Sequence, residues 1–239
     1  MFLHQIFIND KGDLPTQFPS YTEFCTNELR RIYYDWEYKI WSNKEIKKFL
    51  QNNFDDLVFK TYEKIKPYSY KSDLARYCIL KIFGGLYVDL NTRFINRIQH
   101  DENVLFAFRD YSLAQRRGWY VSTSIIYSAA NNNILNTCVE ILIDNVNKNY
   151  YGNSPLDVTG PGVLGKAIIL NDKSLSDCSG ELHCLTPLHE NKTLAFVQDG
   201  GNIVAFRKPN APGDLTFFGF SGVNNYKTMW EREDIYYDI

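Results

Sequence analysis

The clearest pattern of apolar and polar positions in the chain lies between residues 72 and 94. Apolar residues recur there at helical spacing, at Leu74, Cys78, Ile79 and Ile82. Ser72 is a favourable N-cap, and Gly84-Gly85 provides a left-handed stop. The pattern therefore predicts a helix over residues 73–83. Because apolar side chains extend nearly all round it, we expect this helix to be buried.

Two charged residues, Asp73 and Arg76, fall inside this apolar helix. They stand three positions apart on one helical face, and burial of an unpaired charge is costly. One interpretation is an internal ion pair between the two side chains. The other is that both side chains point at a polar ligand.

A short apolar run over residues 86–88 follows the glycines and predicts a buried strand. Asp89 and Asn91 come at its C-terminal end, where open α/β sheets place their ligands. Alternation puts their oxygen-bearing side chains on the same side, where they could hold a hard divalent cation and, through it, a diphosphate. The alternative is an ordinary turn.

The rest of the chain alternates between strand and helix patterns. The predicted strands are residues 2–8, 38–41, 104–108, 124–127, 194–197 and 203–206, and the predicted helices are residues 22–31, 44–52, 55–65 and 133–147. This order predicts an α/β fold with a mixed, mostly parallel sheet and helices on both faces.

Composition narrows the class of protein. With 239 residues, 44% of them hydrophobic, the chain is long enough for one large domain. A net charge of −2 argues against a nucleic acid or an anionic membrane as the main partner. The five cysteines are scattered without a C-x-x-C pair, which favours reduced thiols. The start has no signal-peptide pattern and the sequence no transmembrane run, so we expect a cytoplasmic protein.

The stretch SDLARY, followed by GGLYVDLNT, resembles the signature of glycosyltransferase family 32. That family includes yeast mannosyltransferases, bacterial capsule and lipopolysaccharide transferases and, more distantly, the glucosylating domains of clostridial toxins. Other segments resemble its opening strand and loop, its second strand and its later T-G-P turn: residues 3–8 with Leu14-Pro15, residues 36–41, and residues 159–162.

The resemblance implies a single nucleotide-diphospho-sugar transferase domain of the GT-A type. Residues 1–110 would form the donor-binding half, and residues 111–239 the acceptor side and a closing segment. The implied activity is retaining transfer of a hexose, UDP-linked by preference, to a glycan or lipid-linked glycan acceptor. The implied setting is bacterial capsule or lipopolysaccharide synthesis in the cytoplasm, with peripheral association at the inner face of the membrane as an option.

The resemblance also assigns site residues. Asp73 and Arg76 match the family's S-D-x-x-R pair, which contacts the donor sugar, and with Asp89 they form the implied catalytic set. The residues expected to contact the donor are Phe7, Ile8, Asp73, Arg76, Tyr87 and Asp89. The implied cofactor is Mn²⁺ or Mg²⁺, held by Asp89 and Asn91. Trp41 and His4 are expected to be structural.

One position departs from the family pattern. The second acid of the family's motif is Asn91 here, a neutral and weaker ligand than a carboxylate. A catalytically impaired glycan- or nucleotide-binding module is therefore the alternative to an enzyme, and a metal-dependent hydrolase is a third, less favoured one. By a looser match to the family's closing loop, Ser221, Asn224 and Lys227 are further candidates for contacts to the donor phosphate or the metal. The alternative for this segment is a solvated end with a short amphipathic helix.

Overall fold

A computed structural model of the chain describes residues 1–99, 104–112, 118–175, 180–186, 193–207 and 224–238. The strands in these ranges are β1 (Phe2–Phe7), β2 (Glu37–Ser42), β3 (Gly85–Val88), β4 (Thr92–Phe94), β5 (Phe106–Asp110), β6 (Val121–Ser128), β7 (Gly180–Cys184), β8 (Leu194–Gln198) and β9 (Asn202–Arg207). The helices are α1 (Ser20–Ile32), α2 (Asn43–Asn53), α3 (Asp56–Lys64), α4 (Tyr68–Phe83), α5 (Asn133–Asn147), α6 (Pro161–Leu170) and α7 (Tyr226–Glu231).

All the strands belong to one sheet in the order β2-β1-β3-β6-β5-β7-β8-β9-β4. The predicted mixed sheet is confirmed, and its first part is parallel, with β1 between β2 and β3. Parallel pairings are not the majority, however. Among the described strands β5 and β7 form the one other parallel pair, and the remaining five pairings are antiparallel. Antiparallel pairs are in excess because β6 runs antiparallel to β3, and because β7, β8 and β9 are consecutive strands that pair with their neighbours in the chain.

Helices cover both faces of the sheet, as predicted. Helices α2 to α6 pack on one face around side chains such as Ile6 and Tyr87. On the other face, Leu29 and Tyr33 at the end of α1 and just beyond it pack against Leu86 and its neighbours. Residues 86 and 87 thus enter opposite cores, as the period of two in a strand requires. Among the described residues, no helix is long and apolar enough to cross a membrane.

Helix α4 begins earlier than the apolar pattern predicts. It starts at Tyr68, directly after Pro67, and Ser72 lies inside the helix and is not its N-cap. The cap comes from far along the chain, because the Tyr68 N–H donates to Asn224 Oδ1 at 2.6 Å. The predicted stop is confirmed. Gly84 and Gly85 have φ values of 62° and 98°, and a Cβ on Gly85 would lie 2.3 Å from a backbone oxygen of β1.

The other predicted helices agree closely with the structure. Helix α5 has the predicted bounds, and α2 follows a capping box in which Ser42 and Glu45 bond to each other's backbone N–H. Three elements lie outside the predictions: α6, β4 and β7. Helix α6 is apolar nearly all round, so it has no one-sided stripe, and the two strands are very short or of mixed character.

His4 and Trp41 are structural, as predicted. The ring of His4 donates from Nε2 to the Gly84 carbonyl at 3.0 Å and accepts at Nδ1 from Trp41 Nε1 at 3.3 Å. Burial lowers the pKa of His4 to about 4, more than the hydrogen bond to Gly84 raises it. His4 is therefore neutral near pH 7 and connects β1, β2 and the end of α4.

This depressed pKa makes the stability of the fold pH-dependent. His4 has a pKa of 6.5 when unfolded and about 4 when folded, so the unfolded chain takes up the proton first as pH falls. The contribution of neutral His4 to the free energy of unfolding is about 3 kcal/mol. It is fully present above pH 6.5 and is lost as pH falls through 4. Urea unfolding at pH 7.5, 6 and 5 should show a shallower pH dependence for His4→Gln than for the wild type. If the unfolding free energies of the two proteins change equally with pH, His4 does not titrate in this way.

Candidate functional site

Helix α4, strand β3 and the turn after β3 bring four of the predicted site residues together. Arg76 lies between two aspartates, with Nη2 3.3 Å from Asp73 Oδ1 and Nη1 3.4 Å from Asp89 Oδ1. The Tyr87 hydroxyl donates to the same Asp89 oxygen at 2.8 Å. Residues from a helix and from the end of a strand therefore form one connected polar network.

Arg76 is fixed in position by the surrounding backbone and ring. Its Nε donates to the Ser72 carbonyl and its Nη2 to the Ser72 hydroxyl, each at 3.1 Å, and Nη1 donates to the Thr123 carbonyl. The guanidinium carbon lies 4.4 Å from the centre of the Tyr87 ring. Burial opposes the charged form, but Tyr87, Asp73 and Asp89 together raise the pKa of Arg76 above its usual value. Arg76 thus stays a positive centre.

Asp73 is enclosed by hydroxyl donors. Oδ2 accepts from Thr159 at 2.7 Å and Oδ1 from Thr123 at 3.3 Å, and only 6% of the residue is exposed. Gly160 lies so close that a Cβ there would be 3.1 Å from Oδ2. Burial raises the pKa of Asp73, although Arg76 and the two threonines oppose the shift. The predicted internal ion pair is therefore present, and the T-G-P turn helps to hold its acid.

Asp89 is the part of the network nearest to solvent, with 22% of its side chain exposed. Its second oxygen, Oδ2, lies 3.3 Å from Nη1 of Arg207, the last residue of β9. Arg207 also donates to the Ser124 hydroxyl on β6. The side chain of Arg207 is 34% exposed, so a ligand approaching Asp89 from solvent meets Arg207 as well.

The segment of sequence that carries this network matches a known protein family. Residues 19–110 match the family described as the glycosyltransferase sugar-binding region containing the DXD motif. This segment is therefore similar to a glycosyltransferase sugar-binding region. The match covers α1 to β5 and includes Asp73, Arg76, Tyr87 and Asp89. The resemblance to DXD-motif glycosyltransferases is thereby confirmed.

Part of the chain also resembles a viral protein. An uncharacterized glycosyltransferase of Acanthamoeba polyphaga mimivirus is 39% identical over 89 residues, which is 37% of this chain and 34% of the relative. The chain therefore spans about a third of the length of this curated relative.

Solved glycosyltransferases share the fold. The PaToxG glycosyltransferase superposes with a TM-score of 0.52 at 18% identity, over 71% of this chain and 68% of its own. The UDP-bound glycosyltransferase domain of the YGT toxin gives a TM-score of 0.51 at 10% identity, over 72% and 77% of the two chains. The GT-A type of α/β fold is confirmed by these likenesses.

Asn91, within the matched residues, is the position where the family pattern has a second acid. Its amide oxygen, the one atom of this side chain suited to a cation, accepts a hydrogen bond from the Thr22 hydroxyl of α1 at 3.0 Å. Asp89 has both oxygens close to arginines. In the part of the chain that the structure describes, no group of three or more His, Cys, Asp or Glu residues is arranged to hold a metal ion.

As these side chains stand, they do not form a site for Mn²⁺ or Mg²⁺. Hard cations are bound by carboxylate and carbonyl oxygens, but the Asp89 carboxylate faces the guanidinium groups of Arg76 and Arg207, and the amide oxygen of Asn91 accepts from Thr22. A divalent ion about 4 Å from the Arg207 guanidinium would be repelled by about 8 kcal/mol at an effective dielectric constant of about 20. Ion binding would therefore require Arg207 to leave Asp89.

The remaining predicted donor contacts that the structure describes do not join the network. Phe7, 5% exposed, meets Phe18 edge-on at 5.3 Å, and Ile8 is buried beside it at the C-terminal end of β1. Asn224 caps α4, while Lys227 is exposed and pairs with Glu231 at 3.8 Å. Ser221 lies outside the described residues. Direct donor contact by any of these residues stays a prediction.

The sequence pattern missed several residues of the site. Thr123 precedes the predicted strand over residues 124–127, and no motif marked it or Ser124 as part of the site. Arg207 directly follows a strand predicted only from its apolar residues. Tyr226 was also missed. Its ring lies 5.7 Å from that of Tyr70, and burial raises the pKa of its hydroxyl, with smaller effects from Arg207, Asp73 and Asp89. Tyr226 therefore belongs to the electrostatic surroundings of the network.

Proposed function

We propose that this chain is a glycosyltransferase that moves a sugar from a nucleotide-diphospho-sugar to a hydroxyl group of an acceptor. The observation that carries the proposal is the network of Asp73, Arg76, Tyr87 and Asp89, which lies within the matched sugar-binding region. A buried charged network of this kind is costly to maintain for stability alone, so it favours a functional role.

The network suits the recognition of a sugar joined to a diphosphate. Asp89 is partly exposed and can accept hydrogen bonds from sugar hydroxyls at its free lone pairs. Arg76 holds Asp89 in place and supplies positive charge beside it, which stabilises negative charge developing on a departing diphosphate. Asp73 and Tyr87 hold Arg76 in turn, so the donor-side groups are fixed before the ligand arrives.

We further propose a UDP-linked hexose as the donor and retention of anomeric configuration in the product. The support for UDP is the fold shared with a UDP-bound toxin domain. Retention by double displacement needs a nucleophilic carboxylate, and Asp73 is enclosed by two threonines and paired with Arg76. Asp89 lies between two guanidinium groups, which reduces its nucleophilicity. Attack on the same face, assisted by the leaving diphosphate, is therefore the proposed route.

The acceptor is proposed to be a glycan, free or lipid-linked. Synthesis of a bacterial capsule or lipopolysaccharide in the cytoplasm, with peripheral membrane association, stays a prediction from the family resemblance. The division into a donor half over residues 1–110 and an acceptor half over residues 111–239 is likewise a proposal.

The test is a panel of UDP- and GDP-linked sugars examined by thermal shift and by release of the nucleoside diphosphate. A ligand present at about 100 times its Kd should stabilise the folded protein by about 2.7 kcal/mol, because it binds only the folded state. We expect one donor to raise the melting temperature and to be turned over. Binding without turnover, even with glycan acceptors added, would favour the impaired binding module suggested by Asn91. A panel without any binding would contradict both functions.

A further inference from the structure

Arg207 lies beside the position where the family pattern has its second acid. Strand β9 pairs antiparallel with β4, and the pairing places Arg207 opposite Thr92, the residue that follows Asn91. On its other side Arg207 is opposite Leu194 of β8. Because strands flank it on both sides, the backbone of Arg207 is fixed next to the turn that carries Asp89 and Asn91.

We propose that Arg207 replaces the metal ion as the positive centre that binds the donor diphosphate in this chain. The inference rests on the proposed function and concerns the same site. Its basis is a complementary pair of observations. The second acid of the motif is the neutral Asn91, whose amide oxygen bonds to Thr22, and a fixed positive charge lies 3.3 Å from the remaining motif acid, Asp89.

Within the described residues, part of the Arg207 side chain is left for a ligand. Its contacts there, to Asp89 and to Ser124, both use Nη1. Its Nε and Nη2 carry three further N–H groups, for which the described residues provide no hydrogen-bond partner. A guanidinium fork of this kind matches two phosphate oxygens at once and keeps its charge at any physiological pH.

The charge balance of the site also favours this assignment. The two aspartates of the network, Asp73 and Asp89, are matched by two arginines, Arg76 and Arg207. A donor diphosphate adds negative charge, and the partly exposed Arg207 is the arginine that it can reach from solvent. A divalent ion at Asp89 would instead lie against Arg207, and the two positive charges would repel each other.

Binding of UDP, measured by calorimetry on the full chain, tests the proposal. We expect UDP to bind the wild-type protein in the presence of EDTA. Replacing the EDTA by Mn²⁺ should change the Kd for UDP less than about twofold. Arg207→Gln should raise the Kd about 10- to 100-fold, the usual range for loss of hydrogen bonds to a charged group. The Kd of Arg207→Lys should lie between those of the wild type and of Arg207→Gln, because lysine keeps the positive charge but lacks the planar pair of donors.

The matched control is Arg93→Gln. Arg93 lies on β4 opposite Phe206, the neighbour of Arg207, but its guanidinium lies 5.2 Å from the Phe24 ring, on the α1 side. The Kd for UDP should therefore stay at the wild-type value. Melting curves of all the variants identify any loss of folding, and a folded Arg207→Lys variant tests the proposal even if Arg207→Gln does not fold.

Two results would overturn the inference. The first is UDP binding by the wild type that is lost in EDTA and restored by Mn²⁺. The second is a folded Arg207→Gln variant with the wild-type Kd. Either result leaves the proposed function intact, whereas failure of every nucleotide and nucleotide sugar to bind, with or without Mn²⁺, contradicts the proposed function itself.

Discussion

Replacement of Asp89 by asparagine is expected to lower kcat/KM for nucleotide-sugar turnover by about 10²- to 10³-fold, the loss typical when one electrostatic contact of an active site is removed. Asparagine has nearly the same shape and keeps an acceptor for the Tyr87 hydroxyl, so the substitution changes mainly the charge. Without that charge, Arg207 loses its ion pair, and Arg76 keeps Asp73 alone. The donor would then meet two arginines that are no longer held in a fixed arrangement.

Folding should be little affected by this change, because the Asp89 side chain is partly exposed and the substitution is isosteric. The matched control is Asp144→Asn on the exposed face of α5, which removes an exposed pair with Lys148 and should leave kcat/KM unchanged. Initial rates of nucleoside diphosphate release, measured alongside melting curves, separate the two effects. An Asp89→Asn protein that folds and turns over at the wild-type rate would refute the assignment of the site.

The core of the site was predictable because its signals are local. The cap-and-stop pattern around α4, the buried strand after it and the acid at the strand end all lie within residues 72–94. Spacing along a helix placed Asp73 and Arg76 on one face, and the resemblance to the family then placed Asp89 with them. The start of α4 was misplaced for a related reason, since its cap, Asn224, comes from the far end of the chain.

Arg207 and the threonines around Asp73 could not be predicted in the same way. Arg207 reaches Ser124 across 83 positions of sequence, and Thr159 reaches Asp73 across 86. Such contacts depend on strand order and register, which period-two patterns do not specify. The sequence predicted β9 from its apolar residues but gave no sign that its final arginine would lie beside Asp89.

Replacement of Arg76 by methionine should be the most destabilising change at the site, with an expected loss of about 3–5 kcal/mol in the free energy of unfolding. The variant leaves the buried Asp73 without its cation and removes hydrogen bonds to the carbonyls of Ser72 and Thr123. The matched control is Arg97→Met. Arg97 also pairs with an aspartate, Asp35, and lies 4.9 Å from an aromatic ring, but 42% of its side chain is exposed. The control should lose less than about 1 kcal/mol.

A pH series then separates a lost charge from lost packing in the Arg76→Met variant. Burial already raises the pKa of Asp73, and removal of Arg76 should raise that pKa further. An acid whose folded pKa lies above its unfolded value destabilises the fold when both states are ionised, and this penalty disappears as pH falls through the folded pKa towards the unfolded one. The difference in unfolding free energy between wild type and variant, measured in urea, should therefore shrink as pH is lowered from 7.5 towards 5. A difference that stays constant over this range would show that Arg76 acts through packing, and the charged network would lose its main energetic support.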